Sequence, residues 1–485
     1  MNNNVNRQPV PPSGNNRRPV NARNRRKRFP WAELFIGLLA ITAVFVIIWA
    51  FALGDGKTVS GGSETTGKET LNYLEFNGTA AEEEQPGSSE NGDTFDPDAY
   101  TEIKLLNMGD IMYHQPQLDN AVDWNTGEYD FSGSYKYLKD IVSAADYAVV
   151  NFEATLSGED YTYAGYPTFN APDSAFTTLV DAGFDMMLFA NNHCYDYGNH
   201  GFIRTQEVFK ENGVDYIGAK LNENDKSYKT VDINGVKVGM INSTDDLSYG
   251  NTANRTINGI AIRGNDLQLM DVFNLSLLDD FYKQTEARIK ELREGGVDII
   301  VYYIHWGLEY HLAHNDTQAQ IASKLCDMGV DVIIGGHPHV VQDAEVLTST
   351  VDPEHKTLCF YSLGNVISNQ NRLTMGNTMN KEYTENGLIV ELTIRKYDSG
   401  ECMVTAVETI PTWVHRYSSG GKMQYEVLPV EVALAAPEAY GLYNSNFGVT
   451  NATASLTMTN DLLGDVVDAF AATVTLPTGK TDKRS

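Results

Sequence analysis

The segments VDIIVYYIHW (residues 297–306) and VDVIIGGHPH (residues 330–339) decide how this chain is read. Each enters from Val-Asp, runs through apolar residues rich in Ile, and reaches histidine near its end, His305 in the first and His337 and His339 in the second. Short unbroken apolar runs of this kind, rich in Val and Ile, fit buried strands. Between them lies TQAQIASKLCDMGVD (317–331), in which Ile321, Leu325 and Met328 share one helical face and Gly329 supplies a stop. Strands alternating with amphipathic helices argue an α/β core.

The same pattern extends outward in both directions. IKLLNMGD (103–110), DYAVVNFE (146–153), FDMMLFANNH (184–193) and VKVGMINST (236–244) are apolar runs ending in polar residues, and DDFYKQTEARIKELREGG (279–296) is a second amphipathic helix closed by Gly295 and Gly296. Farther on, TLCFYSLGN (357–365), GLIVELTIRK (387–396) and CMVTAVETIPTWV (402–414) succeed one another without helices and are expected to pair antiparallel, so the sheets are mixed. The expected domain therefore spans 101–420. Residues 421–485 form a C-terminal extension with an acidic helix near 461–472.

The N-terminal flank reads differently. Before Trp31 there are eight basic residues and no acidic one, whereas beyond Leu53 there are 63 acidic and 28 basic residues. The change of sign falls at WAELFIGLLAITAVFVIIWAFAL (31–53), 23 residues with Glu33 as the sole charge, long enough for a helix to span a bilayer. With the Arg-rich cluster before it, the positive-inside rule leaves the N-terminus in the cytoplasm and exports the remainder of the chain. The expectation is a single-pass cell-membrane protein: a disordered basic tail (1–30), a transmembrane helix (31–53), a flexible acidic linker (54–100) and an extracytoplasmic domain. A cleaved signal peptide is the competing reading. The net charge of -28 argues against nucleic acid as a partner, since a phosphate backbone is held by clustered Lys and Arg. Cys194, Cys326, Cys359 and Cys402 form no CxxC, and either two disulfides or buried thiols fit their spacing.

The chemistry sits where the strands stop. Asp110, Asn151, Glu153, Asn192, His193, His305, His337 and His339 all fall at the carboxyl ends of expected strands, where sites assemble in α/β sheets. Any one of them has a structural explanation as a turn former, an Asx-turn or a core histidine. Five separate strand ends finishing in ligand-type residues are hard to obtain from turn chemistry. Carboxylate, amide and imidazole without cysteine make an oxygen and nitrogen set suited to one or two divalent ions, Mn, Zn or Fe. Asp196, three residues after His193, is placed to orient its imidazole.

Six segments carry a family resemblance: GDIMYH (109–114), NFEATLS (151–157), ANNHCYDYGNHG (190–201), HWGLEY (305–310), GGHPHVVQ (335–342) and YSLGNVISNQ (361–370). In order and spacing they resemble the motifs of the CapA, or PgsA-like, poly-γ-glutamate synthesis proteins over roughly residues 101–415. That family is similar to the calcineurin-like metallophosphoesterases. The resemblance implies a four-layer αββα sandwich of two mixed sheets, here with an N-terminal transmembrane helix added. It implies Asp110 as the first metal carboxylate, Glu153 near the bridging carboxylate, and Asn192, His305, His337 and His339 as further ligands. His193 stands in the place of the proton donor, with Asp196 as its catalytic companion. Two departures from the superfamily pattern stand out: His114 lies four residues after Asp110 in place of an Asp-x-His opening, and the bridging position is Glu in an Asn-x-Glu context.

The implied function is synthesis, export or anchoring of an anionic polymer such as poly-γ-glutamate, by metal-dependent hydrolysis or transfer. The expected partners are that polymer, the membrane and membrane-embedded synthase or export subunits. Two alternatives stay open: a non-catalytic accessory subunit of such a complex, and a surface metallophosphoesterase.

Overall fold

The computed structural model describes residues 99–477 apart from Tyr249 and Asn251. Seventeen strands are found among these residues, numbered β1 to β17 in chain order. The two histidine-terminated runs become β10 (Ile299–His305) and β11 (Val332–Gly336), paired in parallel with His305 opposite Gly336. The helix between them, Asp316–Asp327, starts at Asn315, whose side chain accepts the Thr317 and Gln318 backbone N–H groups.

Around this pair a seven-stranded sheet forms. β6 (Val236–Asp245) lies parallel to β10 on the far side from β11, with β5 (Lys229–Ile233) antiparallel at the edge and β9 (Val272–Phe273) beside the end of β6. β13 (Lys356–Phe360) continues the parallel array next to β11 and carries β12 (Ala344–Thr348) antiparallel at the other edge. The segment TLCFYSLGN, expected to be antiparallel, is thus parallel to one neighbour and antiparallel to the other. Its partners come from different parts of the chain, which local pattern does not encode.

The second, eight-stranded sheet centres on β1 (Tyr100–Ile111). On one side β2 (Tyr147–Phe152), β3 (Met186–Leu188) and β4 (Asp215–Ile217) are added in parallel. On the other, β15 (Asn386–Tyr397), β16 (Cys402–Ser419) and β17 (Lys422–Pro429) form an antiparallel meander, and β14 (Asn365–Ile367) pairs in parallel with the end of β1. Both sheets are mixed, as expected.

Period-two alternation distributes the strand residues into separate cores. Ile103 and Leu105 of β1 and Ile299, Val301 and Tyr303 of β10 join one cluster containing residues of both sheets. Their neighbours point the other way. Leu106 and Met108 pack with Phe176 and Phe202 from the helices Asp173–Ala182 and Gly198–Glu211, while Ile300, Tyr302 and Ile304 pack with Phe281 and Ile321 from the helices Leu278–Glu294 and Asp316–Asp327. At the C-terminal side, Ala452 of the helix Gly448–Leu463 packs with Trp413 of β16 and Leu428 of β17. All four cysteines are free thiols, three of them buried.

The expected localisation is corrected. Among the described residues no helix is long and apolar enough to cross a membrane. The longest, Leu278–Glu294, has 17 residues, about 25 Å at 1.5 Å per residue, and is heavily charged on its outer face. The basic tail, the expected transmembrane helix at 31–53 and nearly all of the acidic linker lie outside the described residues.

Candidate metal centre

The two sheets end at the same place. Asp110 is the penultimate residue of β1 and lies opposite Asn151 of β2, whose amide donates to Asp110 Oδ1 at 2.8 Å. Glu153 comes directly after β2, and its backbone N–H donates to the Ile111 carbonyl at 3.1 Å. Beyond β3 the chain turns through Asn191, Asn192 and His193. Asn191 fixes that turn by donating to Asn151 Oδ1 and the Phe152 carbonyl while accepting the His193 N–H. From the other sheet come His305, the last residue of β10, and His337 and His339, just past β11.

Gly336 explains how the strands approach so closely, since a Cβ there would lie 2.7 Å from Asp110 Oδ1. Past it, His337 and His339 both adopt positive φ, 97° and 57°, a strained choice for histidine that turns the two rings back toward the strand ends. The His337 backbone N–H donates to Asp110 Oδ2 at 3.0 Å.

Asp110, Glu153 and His305 each present an atom within 4.8 Å of the others. His305 Nδ1 lies 3.9 Å from Asp110 Oδ1, and its Nε2 lies 3.6 Å from Glu153 Oε1. His339 repeats the arrangement, with Nδ1 3.3 Å from Asp110 Oδ2 and Nε2 3.8 Å from Glu153 Oε1. Asn192 Oδ1 is 2.8 Å from His305 Nε2, and His337 Nδ1 is 3.2 Å from the same nitrogen. None of these six side chains is more than 4 % exposed.

Electrostatics test whether the cluster fits a cation. Both oxygens of the wholly buried Glu153 lack any hydrogen-bond partner. A buried carboxylate left this way costs several kcal/mol unless a positive charge sits beside it. Burial lowers the pKa of His339, but Glu153 and Asp110 outweigh it and raise the value to about 9. For His337, burial together with the neighbouring His305 and His339 drives the pKa well below the usual imidazole range. Burial also opposes ionisation of Asp110 and is overcome by His339, His305 and Asn151, which hold its carboxyl below the ordinary range. Carboxylate oxygens, imidazole nitrogens and an amide oxygen gathered in this way form the kind of donor set that suits a divalent metal.

His193 stands to one side. Its Nδ1–H donates to Asp196 Oδ2 at 2.7 Å, leaving Nε2 toward the cluster, 4.0 Å from Glu153 Oε1. Asp196 also accepts the Phe169 backbone N–H at 2.6 Å and the Asn258 amide at 2.7 Å. Burial lowers the His193 pKa, yet Asp196 more than compensates and the net direction is upward.

All eight site residues singled out by sequence are therefore brought together. Sequence reasoning missed two contributors. Asn258 is the tip of a hairpin between β7 (Thr256–Ile257) and β8 (Ile260–Ala261), and only its Asn-Gly turn pair was legible. Asn369 donates its backbone N–H to His114 Nδ1 at 3.4 Å, and the His114 ring meets Phe169 edge-on at 5.1 Å. His311 and His314, spaced as an HxxH just past β10, lie outside the cluster: His314 pairs with Asp343 at 2.8 Å and His311 is exposed.

Comparison with known proteins converges on one family. The sequence model described as "Bacterial capsule synthesis protein PGA_cap" matches residues 104–370, which include every residue of the cluster. The capsule biosynthesis protein CapA of Bacillus anthracis is 30% identical over 275 residues, covering 55% of this chain and 60% of that protein. The PGA biosynthesis protein CapA of Bacillus subtilis (strain 168) is 28% identical over 305 residues, covering 62% of this chain and 70% of that protein. The match thus spans less than two thirds of the Bacillus anthracis protein. Among solved structures, TT1561 of Thermus thermophilus aligns with 64% of this chain and 98% of its own, at 9% identity and a TM-score of 0.29, a likeness too slight to carry an argument.

Proposed function

We propose, since the chain belongs to the bacterial capsule synthesis family PGA_cap, that it acts in making a poly-γ-glutamate capsule and that its buried cluster is a divalent-metal centre for hydrolysis or transfer. The observation that carries the metal reading is Glu153, wholly buried with both oxygens unpartnered among histidines. Asp110, Glu153, Asn192, His305, His337 and His339 would hold the metal, and Mn, Zn or Fe suits their oxygen and nitrogen atoms. A bound ion of this kind supplies Lewis acidity that polarises a carbonyl or phosphoryl oxygen.

The chain's own groups supply the rest. His193 carries a proton toward the cluster on Nε2 while Asp196 fixes the ring through Nδ1, the arrangement of a general acid serving a leaving group. Asn151 and the His337 backbone N–H hold Asp110 in one orientation. The burial of every ligand keeps water from competing for them. This division of labour supports a hydrolase of the metallophosphoesterase type, with a segment of the anionic polymer or its precursor as substrate.

The test uses the purified chain and a Bacillus subtilis strain lacking its own CapA. Metal analysis should find a divalent ion in the wild-type chain and none in Asp110→Ala or His337→Ala, and neither variant should restore polymer output. His193→Ala should keep the metal and still fail to restore output. Full output from His193→Ala would instead indicate a non-catalytic accessory role, and full output from a metal-free variant would defeat the metal reading altogether.

A further inference from the structure

A second cavity opens immediately beyond His305, on the far side of Trp306 and Gly307, with a volume of about 310 Å³. One part of its wall is apolar, formed by Phe273, Leu275, Leu308 and Ile321 with Leu275 and Leu308 exposed at its mouth, and the start of the helix Asp316–Asp327 forms a polar part. Into this lining the end of β6 introduces a carboxylate, Asp245, only 6 % exposed. One of its oxygens, Oδ1, accepts the Leu247 backbone N–H at 3.1 Å. The Asp246 backbone N–H and the nearby Arg255 also act on this carboxylate, but burial outweighs them.

The surroundings decide which ligand suits that carboxylate. The nearby guanidinium of Arg255 is committed to Asp246, which also accepts from Asn274 at 3.1 Å. The helix Asp316–Asp327 begins at the cavity, and a free helix N-terminus would favour an anion. Here the Thr317 and Gln318 N–H groups are already taken by the Asn315 side chain, and Asp316 adds a second carboxylate to the lining. An anion would therefore meet two negative charges and few free donors. A cation would find a largely buried acceptor beside apolar side chains, where a charge-assisted hydrogen bond is stronger than in water. The volume lies at the small end of ligand sites and suits a short apolar body.

We infer that this cavity binds the ammonium group of a small apolar amine, with Asp245 as acceptor and the Phe273, Leu275, Leu308 and Ile321 side chains around its hydrocarbon part. The inference does not depend on the metal reading, since among the described residues Asp245 has no hydrogen bond or ion pair to the cluster. Such a site next to the strand end that carries His305 gives the protein a way to take up a second, amine-bearing molecule beside whatever the cluster acts on.

Titration calorimetry on the full chain with n-pentylamine, n-pentanol and n-pentanoate tests it. Saturable one-to-one binding of n-pentylamine is expected, with the alcohol and the carboxylate at least about tenfold weaker. Asp245→Asn, nearly isosteric, should weaken amine binding by about tenfold or more with an unchanged circular dichroism spectrum. A Leu275→Ala variant should weaken it by a smaller factor. Chelator treatment and Glu153→Gln should leave it intact, so that failure of the metal reading and failure of this one are told apart. Absence of saturable amine binding, equal binding of all three probes, or undiminished affinity in a folded Asp245→Asn protein would overturn it.

Discussion

Asn107 and Glu153 are both wholly buried polar side chains at the level of the strands, yet they live in opposite conditions. Asn107, inside the layer between the sheets, is satisfied completely by the protein: its amide donates to the Leu105 and Val390 carbonyls at 3.2 Å, and its oxygen accepts the Tyr303 hydroxyl at 2.8 Å from the facing sheet. Glu153, just past the end of β2, has no hydrogen bond at all to its carboxylate. The difference separates two uses of a buried polar group. A group whose partners are all internal specifies how two sheets register. A group whose partners are missing marks where something from outside is received.

Breaking the architecture that serves both regions gives the largest expected effect. A side chain at Gly335 would place its Cβ 2.0 Å from the Tyr361 carbonyl oxygen and 2.7 Å from Trp306 Nε1, contacts that backbone cannot relieve locally. Gly335→Val should therefore cost at least about 4 kcal/mol and abolish a cooperative urea transition. A transition like that of the wild type would show that the crossing is far softer than its geometry implies.

Next in size is the internal member of the comparison. Asn107→Ala strands the Tyr303 hydroxyl and two carbonyls in the inter-sheet core, and urea unfolding should report a loss of about 2–4 kcal/mol. Metal content should stay at the wild-type ratio. Loss of metal with little loss of stability would erase the distinction between the two regions.

The external member should respond with the other sign. Above about pH 9, where the His339 imidazole no longer carries the charge that offsets it, removing the unpartnered carboxylate in Glu153→Gln should stabilise the metal-free protein by about 1–3 kcal/mol. It should also cancel the rise in Tm that added Mn or Zn gives the wild type. A metal-free Glu153→Gln protein less stable than wild type would mean that the carboxylate is already satisfied within the fold.

The smallest effect concerns Asp245. Burial, its largest influence, raises its pKa to about 6 from an ordinary value of 3.8. The folded state thus favours the protonated form, and its stability falls as pH rises from about 4 to 6 and the group ionises. Asp245→Asn removes that loss, so it should match wild type near pH 3.5 and exceed it by about 1 kcal/mol at pH 7, less than the full linkage value because the cavity admits water. A difference that stays constant with pH, measured by urea denaturation, would argue against a buried ionising carboxylate there.

Much of this organisation was readable from one chain. The runs ending at Asp110, Glu153, His305 and His337 showed strand and ligand type together, because a strand buried on both faces must be apolar until it emerges at its end. The mixed sheets were legible because the later apolar runs follow one another without helices between them. What escaped was contact at long range without local signature. Asn258 reaches Asp196 across 62 residues, and nothing in its surroundings beyond an Asn-Gly turn points there. The parallel pairing of β13 with β11 was misread because a short apolar run carries no statement about the direction of its neighbour. The single-pass localisation rested on an apolar stretch outside the described residues, and no described helix supports it.

By itself the sequence determined the strand runs, the helices between them and the chemical kinds gathered at the strand ends, since these arise from side-chain hydrophobicity and backbone periodicity acting over a few residues. Only the tertiary structure decided which polar groups are satisfied and which are not. Asn107 and Glu153 look alike in sequence as polar residues near apolar runs, and their partners come from the opposite sheet or from nowhere. Hydrogen bonding is a matter of ångströms between distant segments, and so the unpartnered carboxylate of Glu153 exists only once the sheets have closed on each other.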